Sequence, residues 1–439
     1  MSERLRRLVL VLGKHPLRAA LVLGVLLPLV GFGGWYVAAE FLFRYHLRAA
    51  ERDLAGLNLP GGIRHLTRCL RLKPADIQTH FLLARTARRG GAFDDAEHHL
   101  ELCKELRGTS PAIDLEEQLL RVQQGDMGGM ERALRKRAEQ DSPETPLILE
   151  ALAQGYLANY DISPAMTCIE RLLKDQPNHI KALLLHGQTL EQIGRAEEAE
   201  ADYRRVLEID PNELLARASV GDVMLKFNRP REALEQFEFL ARRRPDDPQA
   251  QLGLACCMRK LGQADDAKQI LDKLLQNYPD EPRVPFERGM LALDEAHLPE
   301  AEGFLRRAYK QNPFDVKTMH ALHQCLQGLE KKVEAKTLLK KMEQVDRDRK
   351  RLIELSKTVV EMPRAAVERA EAGAICLRLG MFGHAFSMLK RSLEDDPNNL
   401  QALESLADYY ERTGKPDRAS TCRKRAEEVK QMIASQPKH

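Results

Sequence analysis

A chain of 439 residues with 68 Lys plus Arg against 65 Asp plus Glu carries a formal charge of only +3. That balance excludes a dedicated nucleic-acid surface, which needs a basic excess on one face. Aromatic residues make up 5% and there is one tryptophan, so helix is favoured over sheet; eight scattered cysteines without a CxxC pair exclude a disulfide framework and a zinc knuckle.

Residues 1–18 form a basic tail holding Arg4, Arg6, Arg7, Lys14 and Arg18. Residues 19–39, AALVLGVLLPLVGFGGWYVAA, carry no charge. As a helix they extend about 31 Å, matching a hydrocarbon core of ~30 Å. Pro28 and the glycines are tolerated in a bilayer span. Trp35 and Tyr36 stand near its far end, where amphipathic rings prefer the headgroups. The run predicts a transmembrane helix acting as a signal anchor. Five basic residues precede it, against Arg44, Arg48 and Arg52 just after it. The excess places the tail inside, so a single-pass protein of the cell membrane with its bulk extracytoplasmic (periplasmic) is expected. Two alternatives stay open: a bulk on the cytoplasmic face, and a secretory signal cleaved after Ala39 that yields a secreted soluble protein. Eight unpaired cysteines sit awkwardly in an oxidising compartment.

Beyond residue 40 one period organises the chain. Prolines fall at 143, 177, 211, 245, 279 and 313, five successive intervals of 34, and Pro363 and Pro397 repeat the interval. Twenty-four residues before these markers stand Ala153, Gly187, Gly221, Ala255, Gly289 and Gly373. Twelve before stand Ala165, Ala199, Ala233, Ala267, Ala301 and Ala385. Eight before stand Ile169, Tyr203, Phe237, Leu271, Leu305 and Leu389. The alanine and the large residue, four apart, share one face of a helix. Gly194, Gly262, Gly380 and Gly414 fall between helices, where a left-handed residue is needed, and proline ends each unit. Asp247-Pro248, Thr145-Pro146 and Ser110-Pro111 read as helix caps followed by a first-turn proline.

This pattern resembles the tetratricopeptide repeat, in which a small residue at position 8, alanine at 20, a large residue at 24 and proline at 32 recur. The match covers roughly residues 43–433 and degrades around Pro74 and Leu119. The resemblance implies an all-α fold, a right-handed α-solenoid of about 10–11 helix pairs, here preceded by the transmembrane helix. The array is expected over 40–347 as about nine repeats, with two C-terminal repeats at 364–433 and a tail at 434–439. Between them, 348–363 reads as a long-helix strut or a linker. Leu338, Met342, Val345, Leu352, Leu355 and Val359 keep helical spacing, so the second helix of its repeat is expected to continue to about residue 360.

No GxSxG, HExxH, Walker loop or strand-to-helix GxGxxG occurs, so no catalytic residue, cofactor site or metal site is assigned and the chain reads as a non-enzyme. His99 with Cys103, and His320 with His323 and Cys325, have metal-like spacing but coincide with packing positions of the repeat. Glu197, Glu198, Glu200 and Asp202 resemble an acidic site, yet they occupy the early turns of one repeat helix, where negative charge suits the dipole.

Binding is the expected function. In repeats of this kind partners lie in the concave groove lined by the first helix of each pair. The groove positions give Glu150, Gln154, Lys181, Gln188, Glu191, Asp222, Lys317, His320 and Gln324, a mixed polar set suited to an extended protein or peptide ligand. The paired Lys and Asn positions with which chaperone-binding relatives clamp a terminal carboxylate are absent. The whole somewhat resembles bacterial anchored repeat proteins of envelope and lipopolysaccharide assembly, some of which end in a zinc module with two CxxC pairs that this chain lacks. The expectation is a membrane-anchored scaffold or adaptor in envelope-associated assembly. A secreted binding protein and a substrate-capturing subunit of an enzyme complex are its alternatives. Partner identity and oligomeric state are not encoded in any motif.

Overall fold

The structure, a computed structural model, describes residues 16–55, 59–159, 161–362 and 365–435. Among the described residues there are 22 helices and no strand. They fall into two compact units, residues 1–126 and 127–439. The division falls in the turn after Leu119, where the 34-residue register is disturbed.

Unit 1 contains α1 (Pro16–Ala55), α2 (Leu59–Leu72), α3 (Ile77–Arg89), α4 (Phe93–Arg107) and α5 (Pro111–Gln123). α1 packs on α2 and α3 on α4, as two helix pairs. The basic tail up to residue 15, and the side chains of 16–33 and Tyr36, lie outside the described residues, and with them most of the expected span. Among the described residues no helix is long and apolar enough to cross a membrane.

Unit 2 starts with α6 (Met130–Ala138) and continues as eight helix pairs. These are α7/α8 (Thr145–Ala158, Ile162–Asp175), α9/α10 (Ile180–Gln192, Ala196–Ile209), α11/α12 (Leu214–Lys226, Pro230–Arg243) and α13/α14 (Pro248–Lys260, Ala264–Asn277). Then follow α15/α16 (Arg283–Asp294, Leu298–Gln311), α17/α18 (Val316–Gly328, Lys332–Glu361), α19/α20 (Ala366–Arg378, Phe382–Asp395) and α21/α22 (Leu400–Arg412, Pro416–Ser435).

The pairs form because small and large residues interlock. The alanines 165, 199, 233, 267, 301 and 385 are fully buried, and so are Tyr203, Phe237, Leu271, Leu305 and Leu389 four residues on. The Phe237 ring lies between two glycines. A Cβ on Gly221 would stand 2.7 Å from its Cε2, and one on Gly253, in the next pair, 2.3 Å from its Cδ1. Helix starts are capped by Asp247, whose carboxylate accepts from the Gln249 and Ala250 amides, and by Ser110, which accepts from the Ile113 amide. Thr145 departs from the expected cap. It is the first helical residue, and its hydroxyl accepts from the Ser142 amide at 2.9 Å.

The turn inside each pair takes a left-handed residue. Gly194, Gly262, Gly380 and Gly414 have φ between 72° and 84°, and at the same register Asn228, Ala296 and Glu330 have φ of 56°, 59° and 58°. A side chain there costs ~1–2 kcal/mol.

α18 runs for 30 residues to Glu361, burying Leu338, Met342, Val345, Leu352 and Leu355. Arg378 donates to Asp348 at 2.6 Å, and Arg351 donates to Glu371 at 2.7 Å, tying α18 to α19. Pro363, one marker of the period, lies outside the described residues.

Unit 2 also closes on itself. On α20, Ser387 donates to Asn159 Oδ1 at 2.7 Å across 228 residues of sequence. One turn further, Arg391 pairs with the buried Asp161 and stands 4.0 Å from Glu131. The last pairs but one thus clasp the first.

Gly253→Ala should lower the thermal stability of unit 2 by ~1–3 kcal/mol through overpacking, whereas Gly303→Ala, which faces open space, should not. Ala296→Gly should raise it by ~0.5–1 kcal/mol, the left-handed strain relieved less the entropy of glycine. Arg391→Glu sets like charges against Asp161 and Glu131. It should leave the helical circular dichroism intact while increasing the radius of gyration measured by X-ray scattering.

Candidate functional site

In unit 2, α7 approaches α9, α11 approaches α13 and α13 approaches α15, so the first helices of the pairs form the inner face. The structure places the sequence-predicted groove residues on these helices, but most of the charged ones are not open to a ligand. Glu150 is 1% exposed; its carboxylate meets Lys181 of α9 at 3.0 Å and His179 at 3.7 Å. His179 is the cap of α9 and accepts the Ala182 amide at Nδ1, so Nε2 carries the proton that faces Glu150. Glu191 accepts from the Tyr203 hydroxyl at 2.9 Å and pairs with Lys226 of α11.

Asp222 reaches Arg283, at the start of α15, at 3.8 Å, past the intervening pair. Burial, and then the nearby Glu191, push its carboxyl up, while Arg283 and Lys226 oppose the shift. Arg259 continues the series, binding Glu287 at 3.1 Å and Asp294 at 2.6 Å. Ion pairs therefore join α7 to α9, α9 to α11, α11 to α15 and α13 to α15, a ladder that links the first helices of five repeats.

The remaining predicted residues are more accessible. Gln154 and Gln188 are half-buried, and Lys317, His320 and Gln324 on α17 are exposed. Lys226, Arg259, Arg283, Glu287 and Asp294 were not singled out from the sequence. Arg259 and Arg283 occupy groove positions of their repeats, so register alone could have found them. The others stand beside those positions, and only their partners one repeat away mark them.

The metal-like clusters resolve into packing. His323 donates from Nδ1 to the Ala335 carbonyl at 3.0 Å, and the Cys325 thiol donates to the Leu298 carbonyl at 3.2 Å. The Cys103 thiol donates to the Ile77 carbonyl, and His99 meets His80. Among the described residues no three His, Cys, Asp or Glu side chains gather as a metal site. Burial pushes the Cys256 thiol well above its ordinary range and that of Cys257 up to about 12, which disfavours the reactive thiolate in both. In the acidic stretch, Glu200 accepts from Arg204 at 2.8 Å and pairs with Arg229 of the next repeat at 3.0 Å, and Arg195 holds Glu198. Asp202 pairs with His186 at 2.6 Å, so three of these acids are already engaged within the array.

Removing one rung tests the ladder. Lys181→Met removes the ammonium that faces the buried Glu150 carboxylate, and chemical denaturation should show a loss of ~1–3 kcal/mol. The double variant Glu150→Gln/Lys181→Met should recover part of it.

Models of the tetratricopeptide repeat match residues 180–213, 224–284 and 259–316. Among curated proteins none is similar to this chain. Solved structures are similar to this chain at low identity. The type IV pilus biogenesis factor PilW is 20% identical, over 46% of this chain and 94% of its own, with a TM-score of 0.40. The human IFIT1 dimer with m7Gppp-AAAA is 15% identical, over 82% and 91%, with a TM-score of 0.42. A tetratricopeptide repeat protein from Parabacteroides merdae is 16% identical, over 65% and 99%, with a TM-score of 0.35. The matched segments are tetratricopeptide repeats, and such repeats imply a protein–protein interaction scaffold.

Proposed function

We propose that this chain is a membrane-anchored scaffold, without catalytic activity of its own, that holds an extended segment of a partner protein along the inner face of unit 2 during envelope-associated assembly. The observation that carries the partner site is the ion-pair ladder from Glu150 to Asp294. It holds the first helices side by side, and Gln188 with the exposed Lys317, His320 and Gln324 on the same set of helices offers the groups that can hydrogen-bond a mixed polar peptide.

The anchor is supported by the uncharged run 19–39 lying on the same helix, Pro16–Ala55, that continues into the first repeat. Just beyond the run, Phe41 and Tyr45 are 71% and 52% exposed, and Trp35 near its end is 65% exposed. Arg44, Arg48 and Arg52 follow on the exposed side of α1. Aromatic rings backed by arginines suit a headgroup layer. The count of basic residues, five before the run and three just after it, favours an extracytoplasmic array.

Photocrosslinkers placed at Lys181 and Gln188 should capture a partner that the same groups at Glu238 and Arg242, on the second helices, do not. Equal capture from both faces would sink the groove. Trp35 is the single tryptophan, so its emission reports the anchor alone. It should be quenched by brominated phospholipids in vesicles; emission unchanged by them, or a mature chain starting at Glu40, counts against the anchor.

A further inference from the structure

Unit 1 ties its helices together through two imidazole pairs that stand 34 residues apart. His46 on α1 faces His65 on α2, Nδ1 to Nδ1, at 2.9 Å, and His80 on α3 faces His99 on α4 at 3.1 Å. The ring centroids are 5.2 Å apart in both pairs. At these separations the nitrogens point nearly head-on, the geometry of one N–H···N hydrogen bond rather than of two ligands converging on an ion. The same register repeats Cys69 and Cys103, whose thiols donate to the Phe43 and Ile77 carbonyls, so HLTRC at 65–69 and HLELC at 99–103 are one arrangement used twice. In one repeat of unit 2 the matching positions hold Arg217 and Gln236, which pair at 2.8 Å.

The neighbours assign the protons. His80 Nε2 lies 2.9 Å from the Pro74 carbonyl and must donate to it, so neutral His80 accepts at Nδ1 and His99 donates. His65 Nε2 faces Asp53 Oδ2 at 3.9 Å, which favours the same arrangement in the first pair, with His46 donating. Between the facing nitrogens there is one lone pair to accept; a second proton added to the pair makes both of them donors, and the bond is lost.

We propose that these two pairs are an acid-sensitive joint: in mild acid the second proton breaks both bonds and loosens α1 from α2 and α3 from α4, while unit 2 keeps its packing.

The surrounding charges agree with this direction. Burial, then His65 and Arg68, hold His46 below the ordinary imidazole range. Burial, then His80 and His98, do the same to His99, with Asp95 one turn earlier opposing. Other charges on the elements packed here are engaged: Glu51 with Gln78, Asp76 with Thr79, Lys73 with Glu40, and Arg85 with Glu116 of α5. A base whose folded pKa is depressed costs no stability above its unfolded pKa of about 6.5. The cost then grows as pH falls toward the folded value. The joint is thus closed at neutral pH and strained below it.

Hydrogen exchange of the full chain between about pH 7.5 and pH 5 tests this, corrected for intrinsic rates and read by mass spectrometry. Peptides within 43–107 should lose protection at pH 5, while peptides within 180–311 hold theirs. The variant His65→Gln/His99→Gln, whose amides still hydrogen-bond but do not titrate, should keep its protection in acid. The joint is overturned if the wild type stays protected at pH 5, if both units lose protection together, or if the glutamine variant responds as the wild type does. The wild-type comparison of the two units decides even if the variant fails to fold. The outcome does not depend on any partner, so it is separate from the fate of the scaffold reading.

Discussion

The close approach of a side-chain-free or methyl-bearing residue on one helix to a large residue on the next governs everything else in unit 2. Gly187 against Tyr203, Gly221 and Gly253 against Phe237, Gly289 against Leu305 and Gly373 against Leu389 are repetitions of this one contact. It draws the paired helices together, and the alanine one turn before each large residue lets the neighbouring helix follow. No pair buries its apolar face alone, so stability comes from stacking. The inner face exists because the first helices are drawn together by this contact, and the polar groups they carry are then brought within reach of one another.

That order of causes explains what was readable from the residues. The helix pairs were legible because the packing positions recur at 34 residues and each needs a particular size. The left-handed turn was legible only where it is glycine; at Asn228, Ala296 and Glu330 composition hides it and register alone reveals it. The candidate groove residues were legible as positions, but their state was not. Glu150 reads as a free acid and is a buried member of an ion pair. Its partner is chosen by the curvature between two repeats, which no local pattern encodes. The histidine pairs are hidden from a local reading because His99 matches Cys103 in spacing on its own helix, whereas its partner, His80, lies on the helix before.

The ladder and the imidazole pairs are two answers to the same demand. A repeat array must bury polar positions wherever helices meet near a turn, and each such position needs a partner. In unit 2 Arg259 meets it with Glu287 and Asp294, and in unit 1 the two imidazole pairs meet it beside the ion pair of Arg88 with Glu116. The chemistry of the partner varies from repeat to repeat while the helix pairs obey one packing rule.

The clasp between α20 and the start of unit 2 changes how the unit must be built. A stack of repeats with neighbour contacts alone can grow from any point and mature pair by pair. Here Asn159 and Asp161 are made early in synthesis, and their partners Ser387 and Arg391 arrive more than two hundred residues later. Such a contact closes a very long loop and is made late. Until then the buried carboxylate of Asp161 waits without its guanidinium, and a chain truncated before residue 387 never supplies it. The last repeats thus act as a completion signal, and unit 2 reaches its final stability only as a whole.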